Sequence, residues 1–110
     1  MAGWFELSKS SNDQFRFVLK AGNGEIILTS ELYTTRAAAE KGIASVRVNS
    51  PLDAHYKKKT ATNGKFHFNL KAGNHQVIGT SQLYATEQSR DKGIASVKTN
   101  GASETVKDNT

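Results

Sequence analysis

The chain has 110 residues, with 15 Lys plus Arg against 10 Asp plus Glu, a formal charge of +5 and no cysteine. That length suits one compact domain burying about 65% of its unfolded surface, because two independent halves would each be too small for a stable core. The absence of cysteine removes disulfides, thiolate nucleophiles and Cys-based zinc sites. Apolar runs such as Ile26-Ile27-Leu28 are far short of the roughly 20 residues of a spanning helix, and Met-Ala-Gly-Trp-Phe-Glu at the N-terminus has no signal-peptide pattern, so a cytoplasmic location is expected. The modest positive charge serves solubility and favours weak attraction to polyanions.

In chain order, Trp4–Ser8 reads as an opening strand, followed by a polar turn at Asn12-Asp13. Phe15, Phe17 and Leu19 then alternate with Arg16, Val18 and Lys20, the period of two that marks a strand with one buried face. Asn23-Gly24 predicts a type I′ hairpin turn, with positive φ at both residues, returning through Glu25–Thr29. After Ser-Glu-Leu-Tyr the period becomes helical. Thr35 is the expected N-cap, and Ala39, Gly42, Ile43 and Val46 fall on one face. Asn49 suits a left-handed residue ending that helix. A glycine inside a helix costs about 1 kcal/mol against alanine, so Gly42 implies close packing on the sheet. Ser50-Pro51-Leu52-Asp53 reads as a joint.

The same series then runs again. Residues 15–49 align without gaps on residues 66–100, an offset of 51, with 20 identities in 35 positions, including KGIASV at 41–46 and 92–97. This is an internal tandem repeat. The second copy comprises an opening strand over His55–Thr60, a turn at Asn63-Gly64, the Phe66, Phe68 and Leu70 strand, a turn at Asn74-His75 and a return over Gln76–Thr80. Its helix has Thr86 as N-cap, Gly93, Ile94 and Val97 on one face, Arg90 in place of the alanine, and Asn100 as terminator. The division is repeat one over 3–50, repeat two over 54–101, and a polar tail or short strand over 102–110. Because a lone unit leaves an apolar face and sheet edges bare, the second copy supplies what a twofold partner would. A monomer that mimics a dimer of single units is therefore expected.

The strand F-R-F-x-L-K, the turn A-x-N-G, the segment I-L-T-S-E-x-Y and a helix with G-I-x-S-V together resemble the YegP-like proteins of bacteria, in their duplicated form. The resemblance covers nearly the whole chain. It implies an α+β fold in which tandem β-β-β-α units form a single largely antiparallel sheet, with two helices packed on it about a pseudo-twofold axis. It also implies that the segment after each helix crosses to the other copy, over His55–Thr60 and Ser103–Lys107. The family brings no assigned function and no catalytic residues. His75 and Gly79 stand where the first copy has Gly24 and Leu28, which predicts a less regular second hairpin with a less apolar outer face.

A search for chemistry yields little. His55, His67 and His75 match no metal-ligand spacing. Only Glu40/Asp91 and Asp53/Glu104 remain acidic in both copies, and Glu40 and Asp91 each adjoin a lysine on a helix face, as solvated charge does. Ser30 and Ser81 lie at strand-to-helix junctions, where hydroxyls satisfy turn backbone. No nucleophile elbow or phosphate loop is present. Neither catalysis nor a cofactor or metal is expected. The leading expectation is a non-enzymatic binding module of undetermined ligand. Its alternative is a weak nucleic-acid binder using Arg16, Lys20, Lys65, His67 and Lys71 on the outward face of the Phe-rich strands, near Lys57-Lys58-Lys59. Tyr33 and Tyr84 precede the helices and read as staples onto the sheet, or else as stacking platforms for bases. Asn23, Asn74, Gly42, Gly93, Tyr33 and Tyr84 are thus the repeat-defining structural positions.

Overall fold

The computed structural model describes residues 3–10 and 12–110; Met1 and Ala2, included in the reading of the N-terminus, lie outside it. The elements are β1 (Trp4–Lys9), β2 (Phe15–Lys20), β3 (Ile26–Ser30), α1 (Arg36–Asn49), a short 3-10 turn (Asp53–His55), β4 (Tyr56–Thr60), β5 (Phe66–Lys71), β6 (Val77–Thr80), α2 (Glu87–Asn100) and β7 (Val106–Asp108). All seven strands belong to one sheet in the order β4-β5-β6-β3-β2-β1-β7. The two repeats meet where β3 pairs antiparallel with β6 through Thr29↔Thr80. The one parallel contact is β7 against β1.

The crossing after each helix follows from this order. From α1 the chain enters β4 and takes the edge beside β5 of repeat two. From α2 it crosses to repeat one, where β1 already holds the equivalent edge beside β2. β7 therefore goes one place further out, beside β1.

The alternation in β1, β2 and β5 puts Phe5, Leu7, Phe17, Leu19, Phe68 and Leu70 on one face, each no more than 1% exposed. Ala39, Ile43 and Val46 of α1 and Ile94 and Val97 of α2 close over that face in a single core cluster. Thr35 and Thr86 cap the helices, each side-chain oxygen accepting an N–H three residues on, from Ala38 and Ser89 at 3.0 Å. Among the described residues, the opposite face of the sheet carries no helix.

Three expectations are corrected. The hairpins are not type I′: Asn23 and Asn74 do not have positive φ, and the left-handed residue is the next one, Gly24 or His75. The bonds Gly24 N–H to Ala21 O and Ala21 N–H to Glu25 O describe a type I turn closed by a bulge. Asn23 and Asn74 instead accept the N–H of Glu25 and Gln76 on their side-chain oxygens. The β1–β2 and β4–β5 turns repeat the backbone bonds, with Asp13 and Gly64 left-handed; Asn63 accepts the Lys65 N–H, whereas the Gln14 N–H goes to Ser10 Oγ.

Asn49 and Asn100 are not left-handed terminators either, since the helices end in right-handed Ser50 and Gly101. Both asparagines are buried and return their side-chain N–H to the carbonyls of Ser45 and Ser96 at 2.8 Å. Their oxygens then hold the segments that lead into β4 and β1, with Asn49 meeting His55 Nδ1 at 2.6 Å and Asn100 accepting Gly3 N–H at 2.8 Å.

The second hairpin is also as regular as the first, for both carry a register shift at the same place, Leu19/Lys20 and Leu70/Lys71. Gly79 acts at the junction of the repeats instead: a Cβ there would lie 2.8 Å from Leu28 Cγ.

One prediction arises from the turns. His75 holds φ 69°, while at the matching Gly24 nothing lies within 4 Å of an added Cβ. The difference between the two turns is therefore backbone strain, not crowding. Replacing His75→Gly should stabilise the chain by about 1 kcal/mol, and Gly24→His should cost a similar amount, read from urea midpoints at constant m-value. Equal stability of both variants and the parent would refute the strain.

Candidate functional site

The helix-free face is built from alternate residues of the strands. Register places Trp4, Glu6 and Ser8 of β1 beside Lys20, Val18 and Arg16 of β2. In repeat two it places Lys57 and Lys59 of β4 beside Asn69 and His67 of β5. Lys107 of β7 falls beside Glu6. The five cationic candidates thus share a face, with Arg16 and Lys20 at one end, His67 and Lys71 at the other, and Lys65 in the turn leading into β5. Lys58, in the middle of the lysine run, points the other way: it sits opposite Phe68 on the helix side and pairs with Asp91 at 3.2 Å.

The two ends differ in charge despite their symmetry of fold. Lys20 Nζ lies 3.1 Å from Glu6, whose other contact is the Trp4 indole N–H at 2.8 Å. These hydrogen bonds, the Trp4 one first, hold the Glu6 carboxyl below its ordinary range. Lys107 lies 4.3 Å over the Trp4 ring. At the position matching Glu6, repeat two has Lys57. Among the described residues, Lys20 alone of the five candidates has a carboxylate within bridging distance, so Lys71 and Lys57 keep their charge free. Lys57, Lys71, His55 and His75 line one shallow depression at this end.

One further residue distinguishes this end, and alternation alone did not single it out. Asn69, on the face where repeat one has Val18, is 7% exposed and donates to Thr80 Oγ1 at 2.9 Å. Its Oδ1 and the Nδ1 of His67 are buried without a hydrogen-bond partner among the described residues. The signal for Asn69 lay in the repeat alignment, where a polar residue replaces valine.

The tyrosines lie on the other side of the sheet, under the helices. Tyr33 stacks on Phe17, with ring centroids 6.2 Å apart and planes 11° apart. A Cβ at Gly42 would come within 2.5 Å of the Tyr33 hydroxyl and 2.8 Å of Phe17, and one at Gly93 would strike the Tyr84 hydroxyl. The missing side chains at these glycines are the space the phenols fill, and burial raises the Tyr33 pKa. Both tyrosines also bridge to the start of a strand, Tyr33 to Phe15 and Tyr84 to Phe66.

Ser30 and Ser81 accept the N–H of Phe17 and Phe68 and donate to the carbonyls of Glu31 and Gln82. Glu40 pairs with Arg36, and Asp91 with Lys58. Among the described residues, no three His, Asp or Glu side chains are grouped so as to hold a metal ion. Among the described residues, no helix is long and apolar enough to cross a membrane.

Fold and surface together define a duplicated β-β-β-α protein with one half of an open sheet face strongly cationic. The chain belongs to the family described as a domain of unknown function, DUF1508, whose model matches it twice, at residues 10–56 and 61–108. These are the YegP-like proteins, in their tandem form. The UPF0339 protein YegP of Escherichia coli K12 is 77% identical over 110 residues, covering all of both chains. The UPF0339 protein of Shewanella oneidensis is 64% identical over 108 residues, covering 98% of each. The solution NMR structure of E. coli yegP, described as a protein of unknown function, superposes with a TM-score of 0.95, covering 100% of this chain and 95% of that one.

Proposed function

We propose that this chain is a non-enzymatic binding module that holds an anionic partner on the repeat-two half of its helix-free face. The observation that carries this is the asymmetry of charge: Lys57, Lys59 and Lys71 share that half with no bridging carboxylate among the described residues, whereas on the repeat-one half Glu6 offsets Lys20 and leaves Arg16 and Lys107. Evenly distributed solubilising charge would not segregate in this way. The module works as a single chain, because the second repeat occupies the place of a twofold partner.

A nucleic-acid partner is the second reading, and the same lysines favour it. Its form is restricted to phosphate contact. Tyr33 and Tyr84 lie under the helices, and Trp4 is covered by Lys107, so bases have no free platform to stack on.

The test is fluorescence anisotropy with labelled oligo-glutamate and labelled duplex DNA over a salt series. Binding should weaken steeply with salt; on duplex DNA the slope should approach about −0.9 per phosphate neutralised. Lys57→Glu with Lys71→Glu should abolish binding, and Lys20→Glu should change it little. Failure of both probes at low salt, or equal loss from Lys20→Glu, would overturn the proposal.

A further inference from the structure

We infer that the free edge of β4 is a strand-docking site for an extended segment of a partner protein that alternates apolar and acidic residues; the inference rests on the anionic-partner reading and names the partner's chemistry. The fold itself shows what such an edge accepts. On repeat one the matching edge, β1, is covered by β7, with Phe5 N–H bonded to Thr105 O at 3.0 Å and Asn109 N–H to Leu7 O at 2.8 Å. On repeat two no strand among the described residues lies beyond β4.

The register fixes which groups are open. The Ala61 N–H bonds to Lys65 O, so in the antiparallel alternation Lys59 and Lys57 turn their backbone groups toward β5. Lys58 and Thr60 turn theirs outward, and Lys58 matches Leu7, one of the residues that β7 engages on β1.

Side chains have a counterpart as well. Beside β1, between the sheet and α1, Val106 and Asp108 line the outer side of a groove with Leu7, Ile43 and Arg36. The matching groove between β4 and α2, floored by Tyr56, Ile94 and Ala95, has no such bordering strand among the described residues. Its rim charges are paired with each other, Lys58 with Asp91 and Lys98 with Asp53, so this side of an incoming strand should be apolar.

On the other side of the strand the charge is not paired. Where Lys107 of β7 lies beside Glu6, an incoming residue at β4 would lie beside Lys57, with Lys59 next along the same face. That side of the strand should be acidic. The same comparison excludes β7 of a second copy. Its Lys107 would face Lys57, and its Asp108, paired with Arg36 in repeat one, would face Glu87. Lys57 and Lys59 likewise repel the β4 edge of another copy.

The test titrates the full-length, 15N-labelled chain with the blocked peptide acetyl-Ser-Val-Glu-Val-Glu-Ser-amide, and separately with its Lys-for-Glu counterpart and with duplex DNA. At saturating acidic peptide, hydrogen exchange at the Lys58 and Thr60 amides should slow at least about tenfold, with shift changes at Tyr56 and Ile94. The lysine peptide should do neither, and DNA should shift the outer face without protecting Lys58. Lys58→Pro removes an outward N–H and not one bonded to β5, so it should abolish peptide binding and keep the sheet. Should that variant fail to fold, Lys57→Glu with Lys59→Glu decides, since it should exchange the preference toward the lysine peptide. Shifts from the acidic peptide without protection at Lys58, or an unchanged preference in the charge-reversed chain, would overturn the edge site and leave the anionic-partner reading standing. Absence of binding by both the acidic peptide and DNA would overturn both.

Discussion

A chain in which Leu28 and Gly79 exchange places should be far more stable than the sum of its two single replacements. Leu28 is 1% exposed, at the seam where β3 meets β6, and Gly79 is the residue that makes room for it. Removing the leucine with Leu28→Gly loses a buried side chain and leaves a cavity, a cost of about 2–5 kcal/mol by analogy with leucine-to-alanine changes. Adding one with Gly79→Leu forces a Cβ to within 2.8 Å of Leu28 Cγ and 3.0 Å of the Thr29 carbonyl, and overpacking of this kind costs about 1–3 kcal/mol. The double replacement puts the leucine on the other side of the pseudo-twofold, where the matching space is now free. The coupling between the two sites should therefore reach about 3 kcal/mol, the upper end for residues in contact. Urea unfolding of the four chains measures it directly. Additive losses would show that the two positions do not share one space.

That seam also shows what the sequence makes legible and what it does not. The 51-residue offset, the strand alternation at Phe15–Leu19 and Phe66–Leu70, and the caps Thr35 and Thr86 were sufficient to place the elements and the shared sheet. Each is a local pattern with a fixed period or a fixed chemistry. The substitution of Gly79 for Leu28 was visible as well, but not its meaning. A difference between repeats becomes a packing pair only once β3 is known to run against β6. Asn49 and Asn100 misled for a related reason. Asparagine at a helix end suits a left-handed turn, but here burial and the bonds to His55 and Gly3 decide its conformation. The candidate face was legible as a row of alternating cations, since register follows from period. Its electrical asymmetry was not, because the neutralisation of Lys20 depends on Glu6 of a neighbouring strand, and Lys58 leaves the face only through its position opposite Phe68.

Cutting the chain at the joint before Pro51 should yield two pieces that are each unfolded alone and that fold when mixed. The piece of residues 1–50 retains β1, β2, β3 and α1 but loses β6, against which β3 pairs. It also loses Phe68, Leu70, Ile94 and Val97 from the common core. A domain of half this length, stripped of part of its core, falls below the size at which burial outweighs chain entropy. Self-association offers each piece a poor substitute. Two copies of residues 1–50 joined through β3 would set Leu28 where Gly79 is needed, and so against another Leu28. Two copies of residues 51–110 joined through β6 would set Gly79 against Gly79 and leave that space empty. Only the mixed pair supplies one leucine and one glycine. In NMR spectra each fragment alone should therefore be poorly dispersed at about 100 μM, a concentration at which associations tighter than about 5.5 kcal/mol would be more than half populated. An equimolar mixture should regain the dispersion of the intact chain. Dispersed spectra from residues 1–50 as a monomer would refute the shared core. A stable, well-dispersed dimer of either piece would refute the account of the Leu28 and Gly79 seam.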